Sequence, residues 1–202
     1  DSCKAAQKGL FMATKLSALG QNIETFKQLM APCIPHIITP EIIDQLQCMG
    51  FFEAPAAIHH HGAFTGGLFR HSAAVMNMLL VYTEQLELDW GRKESPYIVG
   101  MFHDLCKTDD YVPVSSSKVL GESEWGYNEK RLLTGHGDKS VIMLQQLLKG
   151  NVTMQEAMCI RWHMGAFDQK ENWNAYGNAV ATDQNVLYTH TADMYASRVL
   201  DI

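Results

Sequence analysis

Five successive helix-periodic stretches of this chain each carry one or two groups that resist burial: His71, then His103 with Asp104, then His136, then His163, then Asp193. Their neighbours are apolar at helical spacing, as in "GGLFRHSAAVMNMLL" and "MFHDLCK". Burying such a group without a partner costs on the order of 2–7 kcal/mol. A chain built this way must bring those groups together. The centre of a helical bundle, where facing helices converge, is the place to do so. The pattern therefore predicts an all-α fold whose middle is polar.

The remaining punctuation agrees with helices. Residues 4–19 and 22–31 have amphipathic spacing, with Gly20 between them as a stop. Thr39-Pro40 before "EIIDQLQCMG" gives a cap, a first-turn proline, a helix and a terminal glycine. Further helices are predicted over 67–88, 96–108, 134–148, from the Thr153/Glu156 capping box to Met164, and over 183–200. Residues 109–133 and 166–181 read as ordered loops, the first with room for a short hairpin. Residues 1–53 are expected to form an N-terminal helical extension packed on a core built from 54–202. That extension could cap the core or serve as the surface of a homodimer.

Composition narrows the partners. The net charge is −6 with no block of Lys or Arg, which disfavours a long nucleic acid held through its phosphates. A small anionic substrate needs only a local positive centre. The five cysteines are odd in number and form no CxxC pair, so neither a zinc ribbon nor a disulfide framework is expected. With no leader or long apolar span, the expectation is a soluble, cytoplasmic protein without membrane contact.

Any one of the six polar groups could be a hydrogen-bonded core residue. Together, four His and two Asp suit divalent Fe, Mn, Ni, Zn or Mg, and there are more of them than one tetrahedral ion needs. The set fits one or two octahedral ions, two of them sharing a carboxylate and a water.

The ordered motifs "HGAFTGGLFRHS", "MFHDLCK", "GHGDKS", "RWHMG" and "HTADMYAS" resemble the HD-domain superfamily of metal-dependent phosphohydrolases, in its dinuclear H…HD…H…H…D subset. The likeness runs from Ala54 to Arg198 and looks nearest to the HD domain of bacterial 3′-to-5′ exoribonucleases. It implies an HD-domain helical bundle over 54–202. It implies one ion on His71, His103, Asp104 and Asp193, and a second on His136, His163 and the bridging Asp104. Lys107 matches the lysine of the HD-x-x-K pattern and would hold a phosphate or stabilise its developing charge; otherwise it is a solvated helix-end lysine. Asp104 and Lys107 are the catalytic residues on this reading. The activity implied is hydrolysis of a phosphomonoester or phosphodiester, of a nucleotide or short oligonucleotide, by metal-activated water. Other members of the superfamily use the same ligands as di-iron oxygenases. A non-catalytic nucleotide-binding module is the third reading. "RWHMG" stands where cyclic-di-GMP phosphodiesterases show His-His-Glu, so that substrate is not implied.

Several neighbours have two readings. His61 could line the site or sit in an exposed turn, and His190 is expected beside the ligands rather than among them. Asp109 and Asp110 read as a solvated helix end. Lys139 reads as a surface residue or a phosphate contact. Phe167, Trp173 and Tyr176 could stack a base or plug a loop, and Trp125 and Tyr127 could belong to a lid.

Overall fold

The computed structural model describes residues 18–59, 62–114 and 125–202. Residues 1–17, 60–61 and 115–124 lie outside the described residues, so the expectations placed on His61 and on the helix over 4–19 before residue 18 stay open. Everything described is helical apart from one small hairpin and the connections, and the all-α class stands.

Helix α1 covers 18–29 and runs straight through Gly20. The expected stop fails because the apolar side chains on either side, Leu19, Ile23 and Phe26, pack on one core and outweigh a single glycine's cost of about 1 kcal/mol. Helix α2 (Pro40–Cys48) starts at its proline as expected. The long α3 (Gly67–Gln85) lies along α4 (Ser95–Phe102) and α9 (Asn185–Arg198). Helix α6 (His136–Leu147) pairs with α7 (Met154–Arg161), and α7 touches both α4 and α9. Thr153 and Glu156 form the anticipated capping box at the start of α7. The one-turn α5 (Lys107–Asp110) leads into a hairpin of β1 (Tyr111–Pro113) and β2 (Trp125–Tyr127), antiparallel with Tyr111 opposite Tyr127. The stretch expected as a second loop, 166–181, instead holds two short 3-10 turns and α8 (Trp173–Thr182). Its aromatic and glycine content hid a helix that leans on α9.

Two close approaches set the helix spacing. A side chain at Gly100 would run into the Met76 backbone, so α3 and α4 cross there at backbone contact. A side chain at Gly137 would run into the Arg161 carbonyl, so α6 meets the end of α7 equally tightly. The first contact sets His71 beside His103, and the second sets His136 beside His163.

The main core is aromatic. Phe26, Phe51, Phe52, Phe69 and Phe102 form a mutually contacting group, with Phe26 and Phe51 each 5.4 Å from Phe52 in edge-to-face geometry. Phe26 and Phe51 come from the first fifty-odd residues, so this segment and the later helices share one interior. Among the described residues no helix is long and apolar enough to cross a membrane.

Candidate metal centre

The expected single helix over 96–108 breaks at the His-Asp pair. Helix α4 stops at Phe102, and His103–Cys106 form turns. The cause is local: the His103 ring donates through Nδ1 to the Gly100 carbonyl at 2.9 Å, an acceptor that a continuing helix would use. The backbone then tightens to three-residue hydrogen bonds, Leu105 to Phe102 and Lys107 to Asp104. Asp104 is thereby turned into the bundle centre instead of lying along a helix face.

The structure brings all six sequence-predicted groups together. The two oxygens of Asp104 face different pairs of imidazoles. Oδ2 lies 3.4 Å from His103 Nε2 and 3.6 Å from His71 Nε2. Oδ1 lies 3.3 Å from His136 Nε2 and 3.5 Å from His163 Nε2. Asp193, from the middle of α9, places Oδ1 3.1 Å from His71 Nε2 and 3.9 Å from His103 Nε2. His71, His103 and His163 are fully buried, Asp104 nearly so, and His136 and Asp193 reach the edge of a cleft.

The rings are held by their far nitrogens. His163 donates through Nδ1 to the Ile160 carbonyl at 2.6 Å, and His71 donates through Nδ1 to the main-chain oxygen of Ile202 at 2.9 Å. With His103 on Gly100, three rings have a donor fixed at Nδ1 and turn Nε2 inward, the arrangement that metal-binding histidines commonly show. Among the described residues, two buried atoms in this cluster, Asp104 Oδ1 and His163 Nε2, make no hydrogen bond, though they stand 3.5 Å apart. Buried polar atoms are seldom left so. A divalent cation beside them would satisfy the lone pair that each offers. The donor atoms of His71, His103 and Asp104 lie within 4.8 Å of one another, as do those of His103, His163 and Asp193. The residues fit a metal.

Burial pulls the His163 imidazole down, only partly opposed by Asp104, so the ring stays neutral with its lone pair available. Burial also works against the charged forms of His103 and His136, but Asp104 outweighs it in both. His103 moves up, and His136, which also contacts Cys106, is pushed up to about 11. Asp104 would be raised by burial, yet Lys107 and His103 hold it well below the usual carboxylate range. Asp193 is likewise held low against burial by His71 and its neighbours.

Lys107 is not a solvated helix-end residue. It is buried, with Nζ 2.6 Å from Asp104 Oδ2, and this carboxylate holds it cationic against burial. Lys139 fits neither of its two readings. It is 2% exposed, and its Nζ is 2.6 Å from Asp109 and 2.7 Å from Asp110. Those acids, expected to be merely solvated, anchor the start of α6 against α5. His190 sits beside the His and Asp cluster and donates through Nδ1 to the His163 carbonyl at 2.7 Å.

A cleft of about 160 Å³ opens onto this cluster, with Asp104, Lys107, His136 and Asp193 at its base and Met164, Phe167, Met194 and Arg198 on its walls. Phe167 is exposed there, whereas Tyr176 packs between Trp162 and His190 as a plug. A larger groove of about 580 Å³, lined by Ile23, Ile34 and Ile43 among others, contains none of the His and Asp cluster. The sequence reading missed Met194, Arg198 and Cys106. Met194 and Arg198 stand one and five residues from Asp193, spacings that do not share its helix face, so periodicity alone gives no signal for them. Cys106 has an atom within 4.8 Å of donor atoms of Asp104 and His136. In sequence it is a cysteine among apolar residues, which signals a small core side chain and not a donor. No protein-family model, curated protein or solved structure matches this chain, so its chemistry is read from its own residues.

Proposed function

We propose that the chain is a metal-dependent phosphohydrolase of the HD type, acting on a phosphomonoester or phosphodiester of a nucleotide or short oligonucleotide. The observation that carries this reading is the division of Asp104 between two imidazole pairs, with Oδ1 and His163 Nε2 buried and making no hydrogen bond among the described residues. His71, His103, Asp104 and Asp193 would hold one ion, and His136, His163 and Asp104 a second. Bound ions of this kind supply a water acidic enough to act as nucleophile near neutral pH, and positive charge for the phosphoryl oxygens.

The chain's own groups do the rest. Lys107, cationic at the base of the cleft, is placed to take a phosphate oxygen as charge grows on it. Burial of Asp104, His103 and His163 keeps bulk water from screening those charges. Phe167 with Met164 and Met194 offers an apolar wall for the part of the substrate that leaves. A cleft of about 160 Å³ suits a phosphate and its near neighbours better than a duplex, in line with the net charge of −6.

The test is metal content by mass spectrometry on protein purified without added metal or chelator, followed by hydrolysis of p-nitrophenyl phosphate, bis-p-nitrophenyl phosphate and nucleotides with Mn, Fe, Ni, Zn and Mg. Two equivalents, and hydrolysis that falls to background in Asp104→Ala, are expected. Iron with oxygen uptake and no hydrolysis would turn the reading to an oxygenase. No metal after reconstitution with Mn or Fe would end it.

A further inference from the structure

The rings of His103 and His163 are steered by carbonyls three residues upstream in their own helices. His71 is steered by Ile202, 131 residues away in sequence. That oxygen is delivered by a built turn. After α9 ends at Arg198, the amides of Val199 and Leu200 both donate to the Tyr195 carbonyl, at 3.0 and 3.1 Å. The Ile202 amide then donates back to the Ala196 carbonyl at 3.2 Å. Asp201 between them has φ of +55°, a left-handed conformation that a residue with a side chain adopts at a cost. The exposed Asp201 side chain makes no hydrogen bond or ion pair among the described residues that would explain it. The reversal is explained by what it accomplishes, which is to bring Ile202 beneath α9 and onto His71.

We infer that residues 199–202 are a positioning clip for His71, setting which ring nitrogen faces the cluster. Residues 193–202 meet this ring at both nitrogens: Ile202 accepts from Nδ1, and Asp193 Oδ1 stands 3.1 Å from Nε2. Docking of α9 and its tail therefore completes the half of the centre made by His71, His103 and Asp193. The other half, His136 and His163, takes no part in this contact. The consequence for metal rests on the reading proposed above; the contact itself does not.

Asp201→Pro tests it, because a proline φ near −65° cannot make the left-handed turn, while Asp201→Gly makes it readily. In chelator-treated protein labelled at histidine with ¹⁵N, the unmodified chain and Asp201→Gly should show a slowly exchanging His71 Nδ1–H proton that Asp201→Pro has lost. On titration with Zn, Asp201→Pro should bind one of two equivalents roughly 10–100-fold more weakly, the usual effect of removing a ligand's orienting partner, and Asp201→Gly should restore it. Circular dichroism melting checks that both variants fold. Retention of the proton signal and of both affinities in Asp201→Pro overturns the inference, as does their loss in Asp201→Gly. If the unmodified chain takes up no metal, the metal reading falls, and the proton signal alone still decides whether the tail orients His71.

Discussion

Phe102 completes the aromatic cluster with Phe26, Phe51, Phe52 and Phe69, and the next residue, His103, belongs to the polar cluster with Asp104. The two regions meet at the end of α4, the aromatic one buried throughout and the polar one reaching a cleft at His136 and Asp193. Phe102 and His103 are both 0% exposed. They differ in closure. The five rings are buried within one apolar cluster, so burial there is stabilising on its own. The polar group keeps Asp104 Oδ1 and His163 Nε2 without hydrogen bonds, and holds Lys107 and His136 as charges against burial. A region of that kind costs stability until something occupies its centre, and in that it differs from an apolar core.

The comparison can be broken at either end. Phe102→Ala should cost about 3–5 kcal/mol in urea unfolding, the usual range for a buried aromatic. A loss under about 1 kcal/mol would show that the aromatic group is not what holds the helices together. At the polar end, Zn or Mn at 100 times its dissociation constant should add about 2.7 kcal/mol to stability, read as a rise in Tm. Asp104→Ala should abolish that increment, and Phe102→Ala should leave it in the fraction still folded.

The proton held on His136 sharpens the same contrast. Its folded pKa, about 11, lies above the ordinary imidazole value of 6.5, so its stabilising contribution is full below about pH 6.5 and disappears as pH rises through about 11. A metal must displace that proton. Apparent metal affinity should therefore climb with pH across this window, with proton release seen by titration calorimetry in buffers of different ionisation enthalpy. Binding without proton release at pH 8 would contradict the ligand role of His136.

Smaller effects lie outside both regions. Lys139→Met should destabilise by roughly 1–2 kcal/mol, less than for a fully buried pair because Asp109 and Asp110 keep some water. Since Lys139 ties α6 to α5, metal binding by His136 should weaken with it; an unchanged affinity would confine Lys139 to stability. Thr153→Ala should cost about 1 kcal/mol by removing the α7 cap and leave metal affinity unchanged.

Much of this was legible before any coordinates. Apolar spacing located most of the helices, and the six groups stood out because helix interiors rarely carry His or Asp. What periodicity could not show was the break after Phe102, since the imidazole of His103 competes for the Gly100 carbonyl only once its ring is placed. Residues 166–181 failed for another reason. Trp173, Tyr176 and Val180 do stand at i, i+3 and i+7, but Gly177 and three asparagines within ten residues read as loop chemistry, and α8 is stabilised by leaning on α9. Lys139 looked like a surface lysine because its partners, Asp109 and Asp110, lie across a chain reversal.

By itself the amino-acid sequence determined the class of fold and the membership of the cluster, because the energy of burying a charge is a property of the residue and its apolar neighbours. The tertiary structure alone decided orientation. Which oxygen of Asp104 faces which imidazole, and which nitrogen of His71 faces the centre, depend on Gly100 against Met76, Gly137 against Arg161, and Ile202 against His71. Each of these is a contact between segments distant in the chain. A hydrogen bond's direction is set by where both of its ends are held, and no single segment holds both.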